Sequence, residues 1–118
     1  MNDHFLVLWL MAFISTVLVE TPIYMLFLRE RMHLGWAALV SLGLQMATHP
    51  VLWLVWPLVS PEVQDTLSYW QLVLVVEIIV TLVEFALLML VLGLKDWRRA
   101  LLASLVANTT STVVGLLH

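Results

Sequence analysis

The amino-acid sequence predicts an all-α protein, a bundle of four transmembrane helices built from two two-helix repeats of parallel topology. Three observations lead to this prediction. Hydrophobic residues make up 63% of the 118 residues, and charged residues only 11%. The apolar residues form four long segments, with the basic residues in two short clusters between them. The polar residues inside the segments recur in a similar order in the two halves of the chain.

The composition indicates that lipid is the solvent for much of the protein surface. A soluble domain has about a quarter charged residues, whereas this chain has 11% and a mean hydropathy of +1.04. The net charge of −3 argues against nucleic acid as a partner. Because cysteine is absent, disulfides and thiolate metal sites are excluded. No nucleotide-binding or phosphate-binding motif is present, so the sequence names no cofactor.

The four apolar segments are predicted to be membrane-spanning helices of one domain that covers residues 1–118. Crossing a hydrocarbon core of about 30 Å takes about 20 helical residues, and each segment is long enough. Open strands would leave backbone groups unpaired in lipid. The first segment lacks a basic start and a cleavage pattern, so it is expected to be a retained span and not a signal peptide. The predicted spans are residues 5–28, 34–59, 67–94 and 97–117.

The distribution of charge predicts the orientation. Arg29 and Arg31 lie between the first two spans, and Lys95, Arg98 and Arg99 between the last two. Basic residues beside spans stay cytoplasmic, so loops 29–33 and 95–99 are expected inside and both termini outside, in a bacterial inner membrane. Acidic residues mark the opposite side, at Asp3, Glu62 and Asp65. Tryptophans fit two interfacial belts, with Trp9, Trp53, Trp56 and Trp70 near the outer interface and Trp36 and Trp97 near the inner one.

The two halves of the chain carry similar polar residues. Repeat 1, about residues 5–59, contains Glu20, a basic loop, and then Ser41, Gln45, Thr48 and His49. Repeat 2, about residues 67–117, contains Glu84, a basic loop, and then Ser104, Asn108, Ser111 and Thr112. The amide follows the glutamate by 25 residues in the first repeat and by 24 in the second. The halves are therefore expected to be related by a pseudo-two-fold axis along the membrane normal.

Helical geometry predicts that these polar residues form a ladder inside the bundle. At 1.5 Å per residue, Glu20 and Glu84 are expected about 13–16 Å from the cytoplasmic end, level with Ser41 and Ser104. Gln45 and Asn108 are expected one turn further, at about 18–20 Å. Glu77, His49 and Thr112 are expected at about 24–27 Å, towards the outer face. Each helix presents its polar residues on one face, as a bundle with a polar interior requires.

Each polar residue has a structural interpretation beside the functional one. Intramembrane acids usually mark functional sites, although a protonated carboxyl bonded to a neighbouring helix is the structural alternative for Glu20, Glu77 and Glu84. His49 and Glu77 are also candidate metal ligands, with a bundle hydrogen bond as the alternative for His49. The amides and hydroxyls favour interhelical hydrogen bonds over direct ligand contact. This last group comprises Gln45, Asn108, Ser41, Ser104, Thr48 and Ser111.

Three functions remain open from the sequence. The preferred hypothesis is an ion- or proton-linked transporter or channel component, with the lipid bilayer as its surroundings and a homo-oligomer as its expected state. The second is a non-enzymatic subunit of a larger membrane complex, because the chain has little mass outside the apolar segments. The weaker third is an intramembrane enzyme acting on a lipid, with Glu20 and Glu84 as acid and base. No nucleophile motif supports an enzyme.

Overall fold

The computed structural model describes the backbone of residues 3–55 and 68–117. It describes the side chains of residues 7–50, 68 and 71–117. Several predicted features lie outside the described residues. They are the end of the second span at residue 59, the start of the third at residue 67, Trp56, Glu62, Asp65, and the side chains of Asp3, Trp53 and Trp70.

The described residues form an all-helical fold of four α-helices, without a strand in residues 3–55 or 68–117. They are α1 (Asp3–Leu28), α2 (Leu34–Val55), α3 (Tyr69–Leu92) and α4 (Trp97–Leu116), with a short 3-10 helix at Leu94–Asp96. The predicted all-α class is thereby confirmed. Helix α1 continues through Pro22 and α2 through Pro50.

Two of the helices are long and apolar enough to cross a membrane, at Val7–Leu28 and Gln71–Leu92. Only 11% and 17% of their most apolar stretches are buried, so neither resembles the covered core helix of a soluble protein. Helices α2 and α4 are not among these candidates within the described residues.

Local signals explain where α3 begins and ends. Ser68 caps its start: the Gln71 backbone N–H donates to Ser68 Oγ, and the Ser68 N–H donates to Gln71 Oε1. This reciprocal pair places the first helical residue at Tyr69. At the other end, Gly93 has a φ of 94° and a ψ of 157°, a conformation that favours glycine, and the chain then turns through the 3-10 helix into α4.

The helices form a bundle in which α1 packs against α2 and α4, and α3 packs against α4. The contact between α2 and α3 is less extensive. Because Arg31, just after α1, contacts Asp96, just after α3, the C-terminal ends of α1 and α3 lie at the same end of the bundle. This end, formed by residues 29–33 and 93–99, is called the basic end below. Helices α1 and α3 are therefore parallel, and α2 and α4 run the opposite way.

The distribution of polar and apolar side chains is the reverse of that in a soluble bundle. Among the residues whose side chains are described, half of the buried ones are polar, including Glu20, Gln45, Glu84 and Asn108, each at most 2% exposed. In contrast, 28 large hydrophobic side chains are exposed among the described residues. The buried apolar residues surround Tyr24, Leu28 and Leu88, and alanines from α4 (Ala100, Ala103 and Ala107) let the helices approach closely there.

Candidate functional site

A partly open cavity of about 160 Å³ lies between the four helices. Every helix contributes to its wall. Seven of the ten predicted site residues line it, namely Glu20, Glu77, Glu84, Asn108, His49, Thr48 and Ser111. Thr16, Val80 and Thr112 complete the wall. The spacing of the polar residues along each helix therefore brought most of them into one place.

Glu84 is held by donors from three other helices. The Tyr24 hydroxyl of α1 donates to Glu84 Oε1, which also accepts from Asn108 Nδ2 of α4 at 3.3 Å. The Thr48 hydroxyl of α2 donates to Glu84 Oε2 at 3.0 Å. Both oxygens of this carboxyl group accept hydrogen bonds, and such bonds favour its ionised form over its protonated form.

Glu20 has fewer partners. The Ser111 hydroxyl of α4 donates to Glu20 Oε2 at 2.7 Å. Glu20 Oε1 is buried, and no donor among the described residues reaches it. The two glutamates line the same cavity. Since two carboxylates have no proton to donate, a hydrogen bond between them requires a proton on one of them.

A second group of residues forms the outer end of the cavity, farthest from the basic end. Glu77 of α3 lies beside Thr112 of α4. On the other side of the bundle, the His49 ring of α2 packs against Phe13 of α1, with centroids 5.4 Å apart. Trp9 stacks on Phe13 at 5.7 Å. Of these three rings, that of His49 belongs to the cavity wall.

Three predicted site residues lie away from the cavity wall. Gln45 Nε2 donates to Ser41 Oγ at 2.7 Å and to Thr21 Oγ1 at 3.4 Å, which forms a small cluster between α1 and α2. The Ser104 hydroxyl donates to backbone carbonyls of its own helix, at Ala100 and Leu101. The bonds to Thr21 are interhelical, as the sequence favoured, whereas the Gln45–Ser41 bond and both Ser104 bonds lie within one helix.

The glutamate side chains bond to residues beyond those predicted at their own height. Glu20 contacts Ser111 and Glu84 contacts Thr48, each about two turns further along the partner helix than the predicted Ser104 and Ser41. The cause is side-chain direction, because Cα–Cβ bonds tilt towards the helix N-terminus. In α1 and α3 this tilt points away from the basic end, and in α2 and α4 towards it. The long glutamate side chains therefore meet residues whose Cα atoms lie farther out.

The described residues offer no group of three or more His, Asp or Glu side chains arranged to hold a metal ion. His49 and Glu77 line the same cavity, but no third His, Asp or Glu side chain among the described residues completes a metal site with them. The contacts of His49 with Phe13 and of Glu77 with Thr112 place the two residues on different helix pairs.

Some residues of the site were not predicted. Tyr24 is fully buried and binds Glu84, and its position four residues after Glu20 on the same helix face was an available signal. Thr16 also lies on the polar face of α1, whereas Thr112 was expected at the outer level of the ladder and is found in the cavity wall. Thr21, the neighbour of Glu20 in sequence, could not be identified from the sequence pattern. It accepts hydrogen bonds from Ser41 and Gln45, and these depend on how closely α2 packs against α1.

Ion pairs join the two halves at the basic end. Arg31 Nε donates to Asp96 Oδ2 at 2.7 Å, and this contact holds the pKa of the Asp96 carboxyl below its usual value. Arg99 donates to the Phe27 carbonyl at 2.7 Å and to Glu30 at 3.2 Å. Arg31 and Arg99 are thus both engaged by acceptors within the chain.

Comparison with known proteins gives no relative for this chain. No protein-family model matches it, and neither does any curated protein or solved structure. Functional inference therefore rests on the cavity and its surroundings.

Proposed function

We propose that this protein is a small integral membrane protein that moves protons or monovalent cations through the cavity between its helices. It acts as a transporter or as a channel component. The observation that supports this most is a cavity lined by three glutamates, inside a bundle whose outer faces are apolar. A charged side chain at the membrane centre costs about 2.5–3.5 kcal/mol, so such residues persist where they serve a pathway.

The membrane location is the first part of the proposal. All four helices cross the bilayer, with residues 29–33 and 95–99 in the cytoplasm and both termini outside. Supporting this, the long axis of 44 Å is close to the roughly 40–45 Å of a bilayer with its headgroups. Exposed Trp36 and Trp97 lie near the basic clusters, as interfacial tryptophans do.

The second part of the proposal is that two two-helix repeats build the site. Corresponding residues make corresponding contacts: Thr48 of the first half binds Glu84 of the second, and Ser111 of the second binds Glu20 of the first. The pairs at the outer end also correspond, since Phe13 and His49 occupy the positions equivalent to Glu77 and Thr112. A pseudo-two-fold relation between the halves accounts for both matches, and transporters commonly place sites at such repeat interfaces.

Flux through liposomes tests the proposal. Purified protein is reconstituted into vesicles with a pH-sensitive dye inside, and an imposed membrane potential drives proton entry. We expect the wild-type protein to carry protons and the Glu20→Gln, Glu84→Gln double variant to fall to the rate of protein-free vesicles. Glu30→Gln, the same chemical change at an exposed residue outside the cavity, should retain wild-type flux. Equal flux from the wild type and the double variant would reject the proposal.

A second candidate is an accessory subunit of a larger membrane complex. One observation favours it: Gly43 and Ala47 form a small-residue pair on the exposed face of α2, where another helix can approach closely. A non-enzymatic subunit of such a complex was the second hypothesis drawn from the sequence. Purification from native membranes in mild detergent decides between the two, because an accessory subunit retains a stoichiometric partner and the proposed transporter is recovered as this chain alone.

A further inference from the structure

The cavity contains an unequal pair of carboxyl groups. Glu84 accepts hydrogen bonds at both oxygens, from Tyr24, Asn108 and Thr48. Glu20 accepts at Oε2 only, from Ser111, although its side chain is 98% buried. Its Oε1 receives no hydrogen bond from any described donor. A buried carboxyl oxygen without a donor is unfavourable, so an external proton or cation is needed there.

A proton satisfies this requirement when it is shared between the two glutamates. Because Glu84 has three donors and Glu20 has one, Glu84 is the better carboxylate and Glu20 the better holder of the proton. Two carboxylates that share a site do not both ionise readily. With the proton in place, the pair carries a single negative charge.

The other groups that face Glu20 do not supply a positive charge to replace this proton. From α3 the titratable groups are Glu84 and Glu77, from α2 His49, and from α1 itself Tyr24. Helix α4 contributes uncharged groups to the cavity wall, and no Lys or Arg is among the lining residues. A cation that enters the cavity is therefore the alternative to the proton.

The chemistry of the wall specifies the kind of cation. The donors Asn108, Thr48 and Ser111 are already bound to the two glutamates, so the wall presents mainly oxygen acceptors to the cavity. Acceptors fit a cation that carries N–H donors, such as an ammonium ion with its several donors. A divalent metal has no cluster of three acidic or histidine ligands among the described residues.

The cavity volume limits the size of the ligand. At about 160 Å³ it is smaller than the roughly 300–1,000 Å³ of pockets for drug-sized molecules. It is close to an engineered cavity of about 150 Å³ that binds benzene, a molecule of six heavy atoms. Ammonium and small primary amines fit this volume.

We propose that the cavity binds a small monovalent ammonium-type cation at Glu20, and that this cation and the proton held by Glu20 exclude each other. On binding, the O–H bond of the Glu20 carboxyl breaks, the proton passes to water, and the carboxylate accepts N–H hydrogen bonds from the cation. One proton leaves for each cation that enters. This inference rests on the proposed function, since it names the substrate class and the coupling of the same site.

Calorimetry with methylammonium chloride tests the proposal on the purified full chain in lipid nanodiscs. Titrations in two buffers with different heats of ionisation give the number of protons released for each cation bound. We expect about one proton per cation, and an apparent Kd that rises about tenfold for each pH unit lowered in the range where Glu20 is protonated. Binding without proton release would overturn the mutual exclusion. Sodium that displaces methylammonium at equal concentration would overturn the assignment of an ammonium-type ligand.

Two variants show whether Glu20 is the residue responsible. Glu20→Gln is nearly isosteric and should abolish both proton release and methylammonium binding, with size-exclusion chromatography and thermal unfolding as checks of its fold. Glu30→Gln should bind like the wild type. Unchanged binding by a folded Glu20→Gln variant would reject the inference. If methylammonium does not bind while the glutamate-dependent proton flux persists, this inference fails and the proposed function stands. If methylammonium binds but no flux is measured, the proposed function fails and the binding site stands.

Discussion

At the scale of single residues, two serines on α4 have different tasks despite their identical chemistry. The Ser111 hydroxyl donates to the Glu20 carboxyl, whereas the Ser104 hydroxyl donates only to backbone carbonyls of its own helix. Both serines were predicted from their equal places in a polar stripe. Sequence pattern identified the stripe, but the partner of each hydroxyl depends on the side chain that the neighbouring helix places opposite it.

Substitution of these serines tests the difference. A hydrogen bond to a charged group contributes about 1.5–3 kcal/mol, so Ser111→Ala should lower the flux by at least about tenfold, because the ionised Glu20 loses its donor. Even a polar contact between membrane helices is worth only about 0.6 kcal/mol on average, and Ser104 bonds within its own helix, so Ser104→Ala should stay within about threefold of the wild type. Liposome flux at matched protein content measures both. Equal effects of the two variants would show that Ser111 has no special relation to Glu20.

At the scale of helices, hydropathy and charge predicted the elements closely. The first helix ends at Leu28 as predicted, and the second and fourth begin at Leu34 and Trp97 as predicted. The third ends at Leu92, two residues before the predicted end, because Gly93 adopts a backbone conformation that stops the helix. The hydrogen-bond partners of the glutamates could not be read from the heights, because counting Cα positions ignores the direction in which a long side chain extends.

Gly93 provides a test at this scale. Its φ and ψ lie in a region that is nearly restricted to glycine, so Gly93→Ala should lower the free energy of unfolding by about 1–3 kcal/mol. Gly43→Ala is the matched control, because this glycine lies inside α2 with no atom within 4 Å of the added methyl group. Alanine is the better helix former by about 1 kcal/mol, so the control should be neutral or slightly stabilising. Unfolding titrations in mixed micelles measure both changes, and an unaffected Gly93→Ala variant would contradict the strain argument.

At the scale of the whole molecule, the contact of Arg31 with Asp96 places the two basic loops at one end. The positive-inside rule then predicts that this end faces the cytoplasm. The all-helical class was predictable because the lengths of the apolar segments and the positions of the charged residues can be read directly from the order of residues. The partners of Glu84 were not, because they depend on how the two halves pack together.

Labelling of single cysteines tests the orientation, and the absence of native cysteine makes each introduced thiol unique. A membrane-impermeant maleimide should label Ser68→Cys in intact cells, and should label Glu30→Cys and Lys95→Cys only after the membrane is opened. All three positions are exposed on the surface of the protein. Labelling of Glu30→Cys from outside would reverse the orientation, and opposite results for Glu30→Cys and Lys95→Cys would contradict the four crossings.

The links at the basic end also bear on how the molecule moves. Arg99 holds the last turn of α1 through the Phe27 carbonyl, and Arg31 holds the turn before α4 through Asp96. Helices held together by such links are expected to separate more as the distance from the links increases. We therefore expect the largest excursions around Glu77 and His49 and the smallest around Leu28, so that admission of a solute is regulated at the end remote from the fastening.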